Sequence, residues 1–434
     1  MIARQTRSLD ENVADVLNDF TEWLARYGET SRDHQTFFAG AVGQAAKALY
    51  YHHKLPGTAA VAPMIFLEAF LPSARRLFHR PTRFPIADAH YAMGFAFLFQ
   101  VTNDEAHLRK AIHFLEELGK SRSVGFEEYC WGYPYDWVTR NGTIKKQTPL
   151  ITTTPYCYEA FLQVHGILDS EVGGRRTEDR HLLDEYKQIM ESIARHAFSD
   201  IKDFPVSKNA SSCSYTPFDK GGVINAAAYR SFLLTSASQI FSKEEYWLTA
   251  ERNLNFVLDN QNPDGSWFYA VDGVRDFVDH YHTCFVMKAL AKIHALTGHA
   301  ATFEALRKGM SYYLNNLFGA DGLPKPFSRA PRLTVYKREL YDCAECINLC
   351  LLLQDQFPQL DATLETVVGG ILKDWIKSDG SFRSRQLHLG WDNVPMHRWG
   401  QAQMFRALAY YLREASSLTS DIHDHAQLKP ELQS

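Results

Sequence analysis

The segment Ala344-Glu345-Cys346-Ile347-Asn348-Leu349-Cys350-Leu351-Leu352 is apolar on nearly every face of a helix, as is Val223-Ile224-Asn225-Ala226-Ala227-Ala228-Tyr229. A helix without a polar face has to lie inside a protein. The stretches that follow, 244–260 and 361–377, carry charge along one side and suit an outer position. Buried helices alternating with amphipathic ones describe hairpins with one inner and one outer member. Repeated, such hairpins close into a double ring.

Working outward, helical periodicity predicts helices over 10–27, 36–53, 58–79, 87–101, 104–120, 155–168, 181–197, 222–241, 244–260, 280–297, 302–317, 340–356, 361–377 and 396–413. Strand-like alternation is scarce. The connections alternate in length. Ile240-Phe241-Ser242-Lys243 and Leu296-Thr297-Gly298-His299 barely interrupt two helices, whereas 121–153, 199–221, 261–279, 319–339 and 378–395 are long. Three long links carry one device: Pro263-Asp264-Gly265-Ser266-Trp267, Asp321-Gly322-Leu323-Pro324 and Asp379-Gly380-Ser381-Phe382. Asp-Gly makes a tight turn, since glycine accepts positive φ and aspartate bonds its own backbone. The result is an internal repeat of roughly 55–70 residues, with equivalent inner helices opening near 155, 222, 280, 340 and 396. The expected fold is all-α: an (α/α)6 toroid, or one of seven hairpins if every predicted pair joins the ring. Residues 1–415 form one domain, and 416–434 read as a loose tail.

Composition narrows the function. The chain has 434 residues, 45% hydrophobic and 22% charged, with a net charge of −4. No basic footprint points to nucleic acid. The N-terminus lacks the apolar run of a signal peptide, and no window suits a membrane span. A cytoplasmic location is expected. Seven cysteines at irregular spacing read as reduced, buried thiols, and Cys343, Cys346 and Cys350 lie within an apolar helix rather than a metal site. No phosphate loop or nucleophile elbow occurs, so neither cofactor nor metal is expected.

Ordered long loops usually carry function. Those of this chain are rich in aromatics and lie where the inner helices begin. Trp131, Tyr133, Tyr135 and Trp137 hold Asp136 and Arg140. Trp267 precedes Asp279-His280-Tyr281-His282. Tyr341, Asp342 and Glu345 open another inner helix, and Trp391-Asp392 and His397-Arg398-Trp399 lead into the last. Aromatic rings stack on sugars, while carboxylates and histidines serve as acids and bases. Asp136, Asp279, His282, Asp342, Glu345, Asp392 and His397 are the catalytic candidates. Trp131, Tyr133, Tyr135, Trp137, Arg140, Trp267, His280, Tyr341, Trp391, Arg398 and Trp399 are candidates for substrate binding. Asp279 could instead cap its helix, and only one of His280 and His282 can face the cavity.

This pattern resembles the six-hairpin glycosidase superfamily over most of 36–413. More narrowly, Trp131-Gly132-Tyr133-Pro134-Tyr135-Asp136-Trp137, Thr152-Thr153-Thr154-Pro155-Tyr156 and Met396-His397-Arg398-Trp399-Gly400-Gln401-Ala402 resemble VpsJ-like proteins of bacterial exopolysaccharide clusters. The resemblance implies a carbohydrate substrate and partners in polysaccharide synthesis. Three functions follow as expectations. The first is a glycoside hydrolase with an opposed acid pair. The second is a uronate lyase or epimerase with a His or Tyr base, where Arg398 would neutralise a carboxylate. The third is a non-catalytic glycan binder.

Overall fold

A computed structural model describes residues 8–172 and 180–427. In chain order its helices are α1 Leu9–Tyr27, α2 Thr36–Ala39, α3 Ala41–His52, α4 Lys54–Phe70, α5 Pro85–Thr102, α6 Glu105–Lys120, α7 Thr154–Val172, α8 Arg180–Arg195, α9 Ile224–Phe241, α10 Glu244–Asp259, α11 His280–Thr297, α12 Ala300–Asn316, α13 Leu340–Leu353, α14 Leu360–Asp374 and α15 Ala402–Gln427. Local chemistry sets their ends. Ser8 and Glu11 form a capping box on α1, and Asp104 accepts from the Ala106 N–H to cap α6. Asn103, Ser242 and Gly298 each end an inner helix in the left-handed conformation, with φ of 52°, 54° and 65°. These caps turn the chain straight into α6, α10 and α12.

Helices α5, α7, α9, α11, α13 and α15 form the inner ring, each touching the next and α15 closing onto α5. Residues 224–237 of α9 are all buried, whereas α8 and α6 bury one face only. Burial of a large apolar side chain stabilises by about 1.5–3 kcal/mol, so this core, continuous around the ring, dominates the fold. The outer ring consists of α6, α8, α10, α12 and α14, with α1 as its sixth member.

The Asp-Gly turns reveal that last assignment. Asp264 accepts from the Ser266 N–H, as Asp379 does from Ser381. Gly265 sits at φ +94° against the Lys308 carbonyl of α12. Gly380, at φ +91°, sits against the Asp19 carbonyl of α1, where an added Cβ would stand 2.6 Å from that oxygen. The same turn therefore leans on the next outer helix each time, and α1 supplies it for the final hairpin. Gly380→Ala combines a forbidden φ with a backbone clash. It is expected to destabilise the protein by about 1–3 kcal/mol in urea unfolding.

The ring thus has six hairpins, not seven. The predicted pair 36–53 and 58–79 instead becomes a lobe, α2 to α4 and a 3-10 turn at Pro72–Leu77, inserted between α1 and α5. A bridge between Ser31 and Thr82 pinches its neck, and it keeps a small core of Phe37, Ala46 and Met64. Its apolar content misled the periodicity, because Leu55, Phe66, Phe70 and Leu71 of α4 and its end are exposed rather than packed in the ring. The last helix continues past Ser416 to Gln427, beyond the end of the domain expected from sequence. Residues 1–7 and 428–434 lie outside the described residues.

Short antiparallel strands decorate the ends of the inner helices: β1 Trp137–Thr139 with β2 Gly142–Ile144, β3 Asp203–Pro205 with β4 Ser211–Cys213, and β5 Val278–Asp279 with β6 Phe327–Arg329. A three-stranded sheet joins β7 Tyr336–Glu339, β8 Arg385–Leu387 and β9 Trp391–Asp392. In it Glu339, Arg385 and Asp392 stand side by side in register.

Candidate functional site

The inner helices begin at one end of the ring, and two of these starts carry the site. At α11, Asp279 does both jobs that the sequence left open. Its Oδ1 accepts the His282 N–H at 3.1 Å, capping the helix, and its Oδ2 lies 2.6 Å from His282 Nδ1. Asp279 is buried, while the His282 side chain is 20% exposed. A carboxylate on Nδ1 leaves Nε2 as the ring's free acceptor. Tyr269, Phe277, Tyr281 and Phe285 surround that imidazole, with centroids 4.3–6.2 Å away. His280 faces the other way. Its Nδ1 meets the Leu317 carbonyl and its Nε2 the Tyr313 hydroxyl at 2.8 Å.

At α13, Asp342 is completely buried, and neither carboxylate oxygen has a hydrogen-bond partner. Burial, then the charges of Glu339 and Asp279, hold its carboxyl well above the usual range, which favours its protonated form. Glu339, missed in the sequence reading although it lies three residues upstream, ion-pairs with Arg385 and accepts from Trp399 Nε1 at 3.2 Å. Tyr341 stacks on Trp399 with centroids 4.8 Å apart, and Tyr281 meets both rings.

At the start of α15, Arg398 binds Asp33 through Nε and Nη2, at 2.7 and 2.5 Å, and lies 4.5 Å from the Tyr133 centroid. Asp33 belongs to the neck of the lobe, which crosses this end of the ring. Glu68 of α4 pairs with Arg385 at 2.6 Å, Arg75 pairs with Asp392 at 2.7 Å, and His34 packs on Trp399. The lobe is thus clasped over the mouth by three buried ion pairs. Nothing in the sequence spacing signalled Asp33, Glu68, Arg75 or Arg385.

Asp279, His282, Tyr341, Asp342, Arg398, Trp399 and Tyr133 therefore converge. Other candidates go elsewhere. Trp131 and Trp267 are buried and repeat one structural task, donating Nε1–H to Leu118 of α6 and Val257 of α10 near the outer helices' ends. Asp136 sits on the β1–β2 hairpin. The Lys146 N–H and the Lys145 ammonium hold it below the usual carboxylate range. Arg140 is exposed at that hairpin's tip, Trp137 packs against Tyr133, and Tyr135 is buried beside Phe84. His397 is buried, with its pKa pushed down to about 4, and contacts the Tyr91 hydroxyl and the Gly28 carbonyl. Asp392 is held by Arg75, and Trp391 packs on Trp375 at the end of α14. Glu345, one turn below Asp342, ion-pairs with Lys288 of α11. Among the described residues no cluster of His, Cys, Asp or Glu could hold a metal, and no helix is long and apolar enough to cross a membrane.

No family model and no curated protein matches the chain by sequence. Solved structures do match its shape. An unsaturated glucuronyl hydrolase specific for heparin is 11% identical, with a TM-score of 0.60 over 94% of this chain and 98% of that one. Cellobiose 2-epimerase from Bacillus thermoamylovorans B4167 is 10% identical, with a TM-score of 0.56 over 77% and 88%. A polysaccharide lyase is 11% identical, with a TM-score of 0.52 over 76% and 90%. These neighbours belong to the six-hairpin glycosidase superfamily, and the chain has their (α/α) toroid fold.

Proposed function

We propose that this protein is a carbohydrate-active enzyme that works by proton transfer at the mouth of its ring, as a lyase or epimerase does. One observation carries the reading: a partly exposed histidine, oriented by a buried aspartate, lies in an aromatic cup close to a buried carboxyl that has no hydrogen-bond partner. His282 Nε2 takes a carbon-bound proton next to a carbonyl or carboxylate. Asp342 gives its proton to the oxygen that leaves, or to the carbonyl oxygen that becomes an enol. Tyr281, Tyr341 and Trp399 supply the stacking surface for the sugar ring. The fold neighbours, a glucuronyl hydrolase, a cellobiose epimerase and a polysaccharide lyase, agree with a carbohydrate substrate, and the resemblance in 131–137, 152–156 and 396–402 supports a setting in cytoplasmic exopolysaccharide metabolism, alongside synthesis partners.

A glycoside hydrolase is the second reading, favoured by the readiness of Asp342 as a general acid. Among the described residues the other acids of the inner-helix starts, Asp279, Glu339, Glu345 and Asp392, are each engaged by a partner, so none stands free as the second carboxylate.

Turnover of anionic and neutral oligosaccharides in deuterium oxide separates these readings. An epimerase yields deuterated product and a lyase a new carbon–carbon double bond. New reducing ends with neither would establish hydrolysis and overturn proton abstraction. Tight glycan binding without any product would favour the glycan binder. His282→Ala is expected to lower kcat by about 10²–10⁴-fold, while Asp136→Asn leaves turnover unchanged.

A further inference from the structure

The ring has a second opening. Below the layer formed by Glu345, Lys288 and Tyr156, at the end where the helices are joined by short turns, lies a cavity of about 250 Å³. Four cations line it: Lys288, Lys292, Arg406 and Arg413. Three are matched, Lys288 by Glu345, Lys292 by Glu159 and Arg413 by Glu414. Arg406 is not. It is 7% exposed and lies 5.8 Å from the Tyr156 ring centroid; Glu159 in the same wall feels its charge but is ion-paired with Lys292. Its one hydrogen bond is a long one, 3.4 Å, from Nη1 to His90 Nδ1, and its buried Nε–H has no acceptor. Across the cavity, Asn348 spends its Nδ2 on the Ala344 carbonyl and leaves its buried Oδ1 without a donor.

A buried guanidinium with an unused donor is strongly disfavoured unless an anion completes it. Burial pushes Lys292 down to about 8; Glu159 opposes the shift, and Arg406 and Lys288 add to it. The remaining walls, including Phe97, Leu162, Leu352 and Tyr410, are apolar. The volume falls just below the roughly 300–1,000 Å³ of pockets for drug-sized ligands.

We infer that this cavity binds a small organic anion, whose carboxylate or phosphate oxygens engage Arg406 and whose apolar body packs against Phe97, Leu352 and Tyr410. Arg406 presents a planar fork suited to two such oxygens. The Asn348 carbonyl oxygen accepts from a hydroxyl or amine at the far end of the ligand. The site lies away from the proposed acid and base, so its occupancy does not depend on the reaction assigned to the mouth.

The test uses the full chain with four probes: 4-fluorobenzoate, hexanoate, phenyl phosphate and inorganic phosphate. Calorimetry is expected to detect 4-fluorobenzoate or phenyl phosphate, with fluorine line broadening of the benzoate as a second readout. The tighter of the two assigns carboxylate or phosphate chemistry. Arg406→Gln should weaken binding at least tenfold. Leu352→Trp keeps the arginine and fills the cavity, so it should abolish binding even if Arg406→Gln fails to fold. Failure of all the organic probes to bind the wild-type protein, binding of inorganic phosphate alone, or unchanged binding in Leu352→Trp would each overturn the proposal.

Discussion

Asp342→Asn is expected to reduce kcat by about 10²–10⁴-fold without lowering the melting temperature at pH 7. The two halves of that result have one cause. The carboxyl is buried, unpartnered and close to Glu339 and Asp279, all of which favour its protonated form over the anion. Asparagine matches the shape and charge of the protonated form, but it has no carboxyl proton to give. A carboxylate held as an anion would also lose activity in this variant, but it would lose stability with it, because the change would remove a charge that its surroundings had been compensating. The pH dependence follows with a definite sign. A carboxyl raised by folding contributes its stabilisation in full below its unfolded value, about 3.9, and loses it as pH rises through the folded value. Wild-type stability should therefore sag toward alkaline pH through Asp342, and the sag should shrink in Asp342→Asn. Activity should fall on the same alkaline limb as the acid loses its proton. A melting temperature that drops sharply in the variant, or full activity, would remove Asp342 from the acid's role.

The ring was legible because burial writes itself into sequence. A helix such as α13, buried from Leu340 to Leu351, has no room for a polar face, and the Asp-Gly turns recur because each glycine must lean on the next outer helix. The pairing at α11 was half legible. Asp279 lies three residues before His282, which is the spacing of a cap and of a side-chain contact at once. The lobe was not legible. Amphipathic periodicity says that a face is covered without saying by what, and the apolar side of α4 is left open. Nor does spacing tell which distant charge meets which. Asp33 meets Arg398 across 365 residues, and Glu68 meets Arg385 across 317. Tryptophans were over-read for the same reason. Trp131 and Trp267 look like sugar platforms in a loop but bind the carbonyls of the helices they follow.

Arg385→Met is expected to be the most destabilising single change at the mouth, by about 3–5 kcal/mol at pH 7, the usual effect of removing one partner from a buried pair. Arg385 is buried between Glu339 of the ring and Glu68 of the lobe, and methionine would keep most of its volume while leaving both carboxylates without their cation. Glu339 is already pushed above the usual range by burial, with Arg385 the largest opposing influence. Losing that cation raises it further, so the variant gains stability relative to wild type as pH falls from 7 toward the unfolded glutamate value of about 4.3. Urea unfolding at pH 7 and at pH 5 measures the difference, and an equal deficit at both would contradict the assignment of cause. Hydrogen exchange then locates the damage. An apolar seam would hold the lobe at least as well as ion pairs do, since buried pairs replaced by packed hydrophobic groups are often neutral or stabilising. Polar clasps instead fix the register in which the lobe sits over His282 and Asp342. Amides over 31–82 should lose protection in Arg385→Met while α9 and α13 keep theirs. Unchanged protection there would mean that Asp33–Arg398 and Arg75–Asp392 suffice to hold the lobe.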